Sequence, residues 1–258
     1  MTYQFLEIER HRAVALLRLN RPERLNAFAT EMGQEICLAL RALFEDDSVR
    51  VLILTGNGKG FCAGADVNYL SELATTKDSA RGRVLVETGN EIITLIHMAE
   101  KPVIAAINGP AAGGGASLAL ACDLRLMAQS ASLGFTFIRI GLHPDLGCTY
   151  FLPRLVGSAK AAELLMSGEM ISADETLQLR LVNRVVPDAD LLPAAMKRAE
   201  SLAEKSPLVL RLLKKGLQQS HGQSLDAMLK YEVYAQSLCF ESPEAAGAIG
   251  KFLASRKK

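Results

Sequence analysis

Residues 108–123 read "NGPAAGGGASLALACD" and carry three consecutive glycines, Gly113–Gly115. The apolar run "VIAAI" at 103–107 comes before them and predicts a buried strand, and the small residues after them predict a helix. A simple turn does not require three consecutive glycines. The glycines therefore predict that another group lies close to this backbone, where side chains would block its approach.

A second glycine-bearing turn, "FCAGAD" at 61–66, follows another buried strand predicted at 49–56. Backbone N–H groups at the start of a helix are unpaired and carry partial positive charge. Two such groups that converge from separate strand ends would stabilise an oxyanion. Tight turns or phosphate loops are the alternatives, although neither turn fits a P-loop or a dinucleotide fingerprint.

Composition limits the classes of function. The chain has 258 residues, 49% of them hydrophobic, which suits one large domain or a core with an appendage. A net charge of +1 and short apolar runs predict neither a nucleic-acid nor a membrane partner. The first 20 residues have no apolar signal core, and five scattered cysteines without a CxxC pair indicate reduced thiols. We expect a cytoplasmic protein without a metal site.

Strands and helices alternate through the first half of the chain. Two strands are expected around a turn near His11 and Arg12, and the later alternation predicts a mostly parallel sheet. The polar region at about 70–85 has no clear pattern, and the chain is rich in helices from 158 onward. The other predicted elements are helices at about 30–46, 84–101 and 116–122 and strands at 102–108 and 123–129.

Five separated segments carry a family resemblance: "RPERLNA" at 21–27, "VLILTGNGKGFCAGAD" at 51–66, "KPVIAAINGPAAGGGASLALACDLRLMAQSASLGF" at 101–135, "GLHPDLGCTYFLPRLVG" at 141–157 and "ISADETLQLRLVNRVVP" at 171–187. Together they resemble the crotonase superfamily of enoyl-CoA hydratases and isomerases, over nearly the whole chain. The resemblance implies an α/β fold of repeated ββα units, with a core at 1–200 and a C-terminal helical region at 201–258 that assembles a homotrimer or hexamer. It also implies an acyl-CoA thioester as ligand, with coenzyme A carried by the substrate and no separate cofactor.

The family's oxyanion donors map onto the N–H groups of Ala65 and Gly114. Arg24 resembles a basic residue that meets CoA phosphates, with a solvated turn residue as the alternative. The stretch from Ala65 to Asn68 resembles the path of the CoA adenine and pantetheine. The residues implied in substrate or CoA binding are Arg24, Ala63, Ala65, Asp66, Val67, Asn68, Gly113, Gly114 and Phe137.

The chain departs from the hydratases of the family at both catalytic glutamates. Their positions are taken here by Ser117 and Phe137. Addition of water across a double bond usually needs one group to activate water and another to handle a proton. An ordinary hydratase is therefore disfavoured.

Asp145, in "GLHPDLG", is the carboxylate left in this neighbourhood. Its loop resembles that of the ring-epoxide isomerases most closely, then those of dienoyl-CoA isomerases and 4-chlorobenzoyl-CoA dehalogenase, and the absence of Trp counts against the dehalogenase. The alternative role for Asp145 is a helix cap. The surrounding Phe135, Phe137, Leu142 and Leu146 predict an apolar environment that raises the carboxyl pKa.

These residues predict an isomerase that moves a double bond. Ala65 and Gly114 would bind the thioester oxygen, and Asp145 would carry the proton. His143 is expected to shape the pocket. Two alternatives stay open: an atypical enoyl-CoA hydratase in which Ser117 or a backbone group holds water, and a non-catalytic acyl-CoA-binding homologue.

Overall fold

The computed structural model describes residues 2–255, over which the chain forms nine β-strands and eleven α-helices. The strands are β1 (Leu6–His11), β2 (Val14–Leu19), β3 (Val51–Gly56), β4 (Val103–Ile107), β5 (Ala111–Ala112), β6 (Leu124–Ala128), β7 (Ser132–Gly134), β8 (Met170–Ser172) and β9 (Arg184–Val186). The helices are α1 (Thr30–Glu45), α2 (Val67–Thr76), α3 (Ser79–Met98), α4 (Gly114–Ala121), α5 (Cys148–Val156), α6 (Ser158–Ser167), α7 (Ala173–Gln178), α8 (Leu191–Ala203), α9 (Pro207–Ser220), α10 (Leu225–Glu241) and α11 (Pro243–Ser255). Short 3-10 helices span Pro22–Arg24, Thr136–Ile140 and Asp188–Asp190.

The main sheet has six strands in the order β1-β2-β3-β4-β6-β9. β1 and β2 form an antiparallel hairpin, and every later neighbour pairs in parallel. Every residue of β3 and β4 is buried, as is typical of strands covered on both faces. The predicted mostly parallel sheet and its buried strands are confirmed.

A smaller sheet holds the triple-glycine turn. β5, directly before Gly113, pairs in parallel with β7, and β7 pairs antiparallel with β8. Isolated bridges join Phe28 to Ala65 and Cys62 to Ala111. The turn at 61–66 is therefore tied both to the chain before α1 and to the strand that leads into the glycines.

The region from 67 to 98 differs from the sequence expectation. The polar stretch at about 70–85 forms α2 and the first turns of α3, and α3 begins at Ser79 rather than near 84. Asp66 accepts the Asn68 N–H at 2.9 Å, and Asp78 accepts the Arg81 N–H at 3.0 Å. These two aspartates cap the helix starts, which explains helices in a stretch with little apolar periodicity.

The C-terminal helices differ in how they meet the core. The boundary expected between 200 and 201 falls within α8, a helix that packs against β3, β4 and β6. α9 is bonded to the core through Lys214, whereas α10 has no buried residue. The division into 1–200 and 201–258 stays a prediction, and its last three residues lie outside the described range. Within that range, no helix has the length and apolar character needed to cross a bilayer.

Candidate active site

The two glycine turns touch through their backbones. Gly64 has a φ of +86°, and a Cβ there would lie 2.8 Å from the carbonyl oxygen of Ala112 and 3.1 Å from the nitrogen of Gly114. A Cβ on Gly115 would lie 1.9 Å from the carbonyl oxygen of Cys62. Glycine is therefore required at both positions because the other turn occupies the space of a side chain.

The N–H groups of Ala65 and Gly114 are unpaired. Within residues 2–255, neither donates a hydrogen bond to the chain, while the Asp66 N–H beside Ala65 donates to Phe28 at 3.0 Å and the Gly113 N–H donates to Gly134 at 2.9 Å. Gly114 is the first residue of α4, where an N–H has no partner in the helix. The two donors stand on turns in direct contact, as an oxyanion site requires.

Asp145 lies on the loop between the 3-10 helix Thr136–Ile140 and α5. Burial raises the pKa of its carboxyl from 3.8 to about 6, and the nearby His143 opposes that shift. α5 is capped by Gly147 without a side-chain hydrogen bond, so the helix-cap alternative for Asp145 is wrong. Asp145 is therefore a partly buried carboxyl with a pKa of about 6, and general acid–base groups commonly have a pKa raised in this way.

Ser117 connects α4 to the Asp145 loop. The residue is fully buried, and its Oγ lies 3.1 Å from the backbone carbonyl oxygen of Asp145 and 3.4 Å from that of Gly113. The hydroxyl proton is thus directed at a protein carbonyl, which weakens the hypothesis that Ser117 holds a catalytic water.

Apolar side chains enclose the glycines. Leu146 has a φ of +52°, uncommon for a residue with a side chain, and its Cδ2 lies 3.4 Å from the position of a Cβ on Gly114. The Phe137 ring lies 3.8 Å from the corresponding position on Gly113. Phe135, Phe137 and Leu146 are buried as expected, but Leu142 is 44% exposed, so its predicted part in the apolar surround is wrong.

The residues implied in CoA binding lie at the edge of the first turn. Arg24 is exposed on the short helix Pro22–Arg24, and Val67 and Asn68 are exposed at the start of α2. Asp66 is buried and pairs at 2.8 Å with Arg21. Burial alone would raise the Asp66 pKa, but the Asn68 N–H and Arg21 hold it below its usual value. Asp66 therefore serves the turn itself, and contact of these residues with CoA stays a prediction.

Sequence reasoning missed two residues that shape the site, Phe28 and Asn26. Phe28 forms the bridge to Ala65, and its ring lies 3.5 Å from the position of a Cβ on Gly114. Asn26 is fully buried with a φ of +58°, and its side-chain amide donates to the Gly60 carbonyl at 2.8 Å. Asparagine tolerates the left-handed region, so "RLNAF" contained a signal for a fixed turn.

Other parts of the surface offer weaker candidates. Two cavities of about 490 Å³ lie away from the glycine turns. In one of them Arg211 is paired with Glu100 at 3.3 Å, and Lys101 donates to the Asp46 carbonyl at 2.7 Å. Its cations are already satisfied by protein groups. Over residues 2–255, no three His, Cys, Asp or Glu side chains are grouped closely enough to bind a metal ion.

Comparison with known proteins gives the family. The family model described as "Enoyl-CoA hydratase/isomerase" matches residues 9–258. The chain belongs to the enoyl-CoA hydratase/isomerase family. The superfamily and the crotonase-like fold inferred from the five segments are confirmed.

Relatives within this family carry both kinds of name. The chain is 37% identical over 258 residues to a crotonyl-CoA hydratase of Syntrophomonas wolfei, covering 100% of this chain and 98% of the relative. It is 36% identical over 253 residues to the 1,2-epoxyphenylacetyl-CoA isomerase of Escherichia coli, covering 98% and 97%. A solved enoyl-CoA hydratase from Bacillus anthracis superimposes with a TM-score of 0.92 at 34% identity, covering 98% and 97%.

Proposed function

We propose that this family member is an enoyl-CoA isomerase that moves a double bond with one catalytic carboxylate, Asp145. The observation that carries the proposal is the placement of Asp145. Its main chain is hydrogen-bonded to α4, the helix that begins with the unpaired N–H of Gly114. The two positions where the family's hydratases carry glutamates hold Ser117 and Phe137, neither of which transfers protons at neutral pH.

The reaction follows from these groups. The N–H groups of Ala65 and Gly114 bind the thioester oxygen of a 3-enoyl-CoA and lower the pKa of the C2 proton. Asp145 takes that proton, and the electron pair moves into the thioester as a dienolate. The protonated Asp145 then returns the proton at C4, which leaves the 2-enoyl-CoA. The step needs no redox group or metal ion, and coenzyme A enters with the substrate.

The raised pKa of Asp145 suits both halves of this transfer. With a pKa of about 6, about nine-tenths of the carboxyl is ionised at pH 7 and ready to accept the proton. The protonated form is a weaker acid than an ordinary aspartic acid but still returns the proton readily near neutral pH. General catalysis is most efficient when the pKa lies near the working pH.

A hydratase is the second candidate, because the Syntrophomonas wolfei relative is named one. It would have to add water with Asp145 alone, since Ser117 directs its hydroxyl at a protein carbonyl. A non-catalytic acyl-CoA binder is the third. Separate incubations with 3-enoyl-CoA and 2-enoyl-CoA distinguish the three candidates: isomer, hydrate or unchanged ligand.

Asp145→Asn tests the proposal directly. The amide keeps the shape of the carboxylate but cannot accept a proton, so we expect kcat for isomerisation to fall by ~100- to 10,000-fold. Affinity for acyl-CoA should stay within about threefold because the N–H groups and CoA contacts remain. Exchange of the C2 proton with deuterated solvent should disappear as well. Asp190→Asn, at an exposed site on the surface, is the control. Unchanged isomerisation in Asp145→Asn would reject the proposal.

A further inference from the structure

We infer that Ser117 is a positioning residue whose hydroxyl fixes Asp145 relative to the two unpaired N–H groups. This inference rests on the proposed function, because it assigns Ser117 a role through the catalytic carboxylate. Ser117 itself is fully buried behind the turn and is not expected to meet the substrate.

The carbonyl oxygen of Asp145 accepts two hydrogen bonds from two different helices. Ser117, on α4, donates through its hydroxyl at 3.1 Å, and Cys148, the first residue of α5, donates through its N–H at 3.0 Å. The two bonds use both lone pairs of the oxygen. The main chain of Asp145 is thereby held from both sides.

Ser117 is also bonded to the turn that presents the oxyanion donor. Its N–H donates to the Gly113 carbonyl at 3.1 Å, and Gly113 directly precedes Gly114. The hydroxyl is 3.4 Å from that same carbonyl, long for an O–H donor, so its proton goes to Asp145. One residue therefore links the N–H group to the base.

The loop needs such a restraint. Leu146 and Gly147, which follow Asp145, have φ values of +52° and +73°, and a non-glycine residue in the left-handed region must be held there by its surroundings. The Cys148 thiol lies beside the Ser117 hydroxyl, and burial raises the pKa of that thiol to about 12. The thiol is therefore neutral and places no charge beside the hydroxyl.

Ser117→Ala removes this link and leaves both N–H groups in place. A shift of about 1 Å in a catalytic group costs up to ~100-fold in rate, so we expect kcat to fall by about 10- to 100-fold. KM and acyl-CoA affinity should stay within about twofold, since binding depends on groups that do not change. A general loss of structure would instead lower binding and activity together.

Cys122→Ala is the matched control. Cys122 is the C-cap residue that follows α4, is buried, and donates through Sγ to the carbonyl four residues earlier, Leu118, at 3.5 Å. Ser117 makes the same type of contact to Gly113 at 3.4 Å. Each alanine variant removes one buried γ atom, from α4 or from its C-cap, but Cys122 makes no hydrogen bond to the Asp145 loop. We expect its kcat to stay within about twofold of the native value.

A double-mutant cycle separates the inference from the proposed function. If Ser117 acts through Asp145, the double variant Ser117→Ala/Asp145→Asn should be no slower than Asp145→Asn alone. Independent losses that multiply, or a kcat for Ser117→Ala within twofold of Cys122→Ala, would overturn the positioning role while Asp145→Asn stays inactive. An active Asp145→Asn would reject the proposed function itself. If Ser117→Ala does not fold, Ser117→Cys decides: a fall in kcat of at least about fivefold supports the role, and a smaller one overturns it.

Discussion

Gly64 is in close contact with the triple-glycine turn, since a Cβ on Gly64 would lie 3.1 Å from the Gly114 nitrogen. Gly64→Ala should displace the Gly114 N–H, the proposed oxyanion donor, and lower kcat by ~100- to 1,000-fold, the usual effect of losing one such donor. Gly141→Ala is the matched control, because Gly141 also has a positive φ, +70°, but a Cβ there meets nothing within 4 Å. Steady-state kinetics on a 3-enoyl-CoA measure both variants. An equal fall in kcat in both variants would mean that backbone strain, rather than the contact with Gly114, causes the loss.

Ionised Asp145 should lower the stability of the protein as the pH rises through 6. Its folded pKa of about 6 lies above the ordinary value of 3.8, so the folded state binds the proton more tightly than the unfolded state does. The stability that this proton contributes is present below pH 4 and is lost as the pH rises through 6. We expect Asp145→Asn to be more stable than the native protein at pH 8 and about equally stable at pH 4. Urea unfolding at both pH values measures this difference, and a native protein that is the more stable of the two at pH 8 would contradict it.

Part of the site can be predicted from single residues in the sequence. The glycines at 61–66 and 113–115 and the isolated Asp145 are visible because their residue types are unusual for their surroundings. The left-handed φ of Leu146 and the bond from Ser117 to the Asp145 carbonyl are not visible. They depend on segments brought together from different parts of the chain, and neither residue type signals them.

At the scale of elements, burial decides what the sequence reveals. β3 and β4 are buried along their whole length, so they read as continuous apolar runs. α2 buries only Leu73, which leaves little periodicity to detect, and its start is set by Asp66. A helix defined by its cap and by one buried side chain therefore escapes a search for apolar patterns.

Lys214 is a buried cation that bonds α9 to the core. The Lys214 Nζ donates to the Asp123 carboxylate at 2.8 Å and to the Ile96 carbonyl at 3.0 Å. Lys214→Met leaves these acceptors without a donor, and we expect it to lower the free energy of unfolding by about 2–3 kcal/mol. Lys215→Met, at the exposed neighbour, should change it by less than about 0.5 kcal/mol. Chemical denaturation measures both, and equal losses would show that the buried pair contributes nothing.

At the scale of the whole molecule, the C-terminal helices leave apolar surface uncovered. Leu225, Leu229, Val233 and Phe240 follow one face of α10, and each is more than half exposed. A surface of this kind usually marks an interface. We propose that copies of the chain cover it in a homotrimer or in a hexamer of two trimers.

Charge on this face should break the assembly. Leu229→Glu together with Val233→Glu places two carboxylates at neighbouring positions of α10 and should yield monomers at micromolar concentration. Lys230→Glu, on the same helix at an exposed polar position, is the control. Light scattering coupled to size-exclusion chromatography measures the mass of each species. A monomeric native protein would rule out the proposed assembly.

The pairing of Lys214 with Asp123 sets an order of events during translation. The two residues are separated by 91 positions, which the ribosome needs roughly 5–18 s to add at about 5–20 residues per second. Ala65, Gly114 and Asp145 have all been synthesised before the lysine emerges. The nascent chain thus carries all three proposed catalytic groups while Asp123, directly before β6, is still without its Lys214 partner.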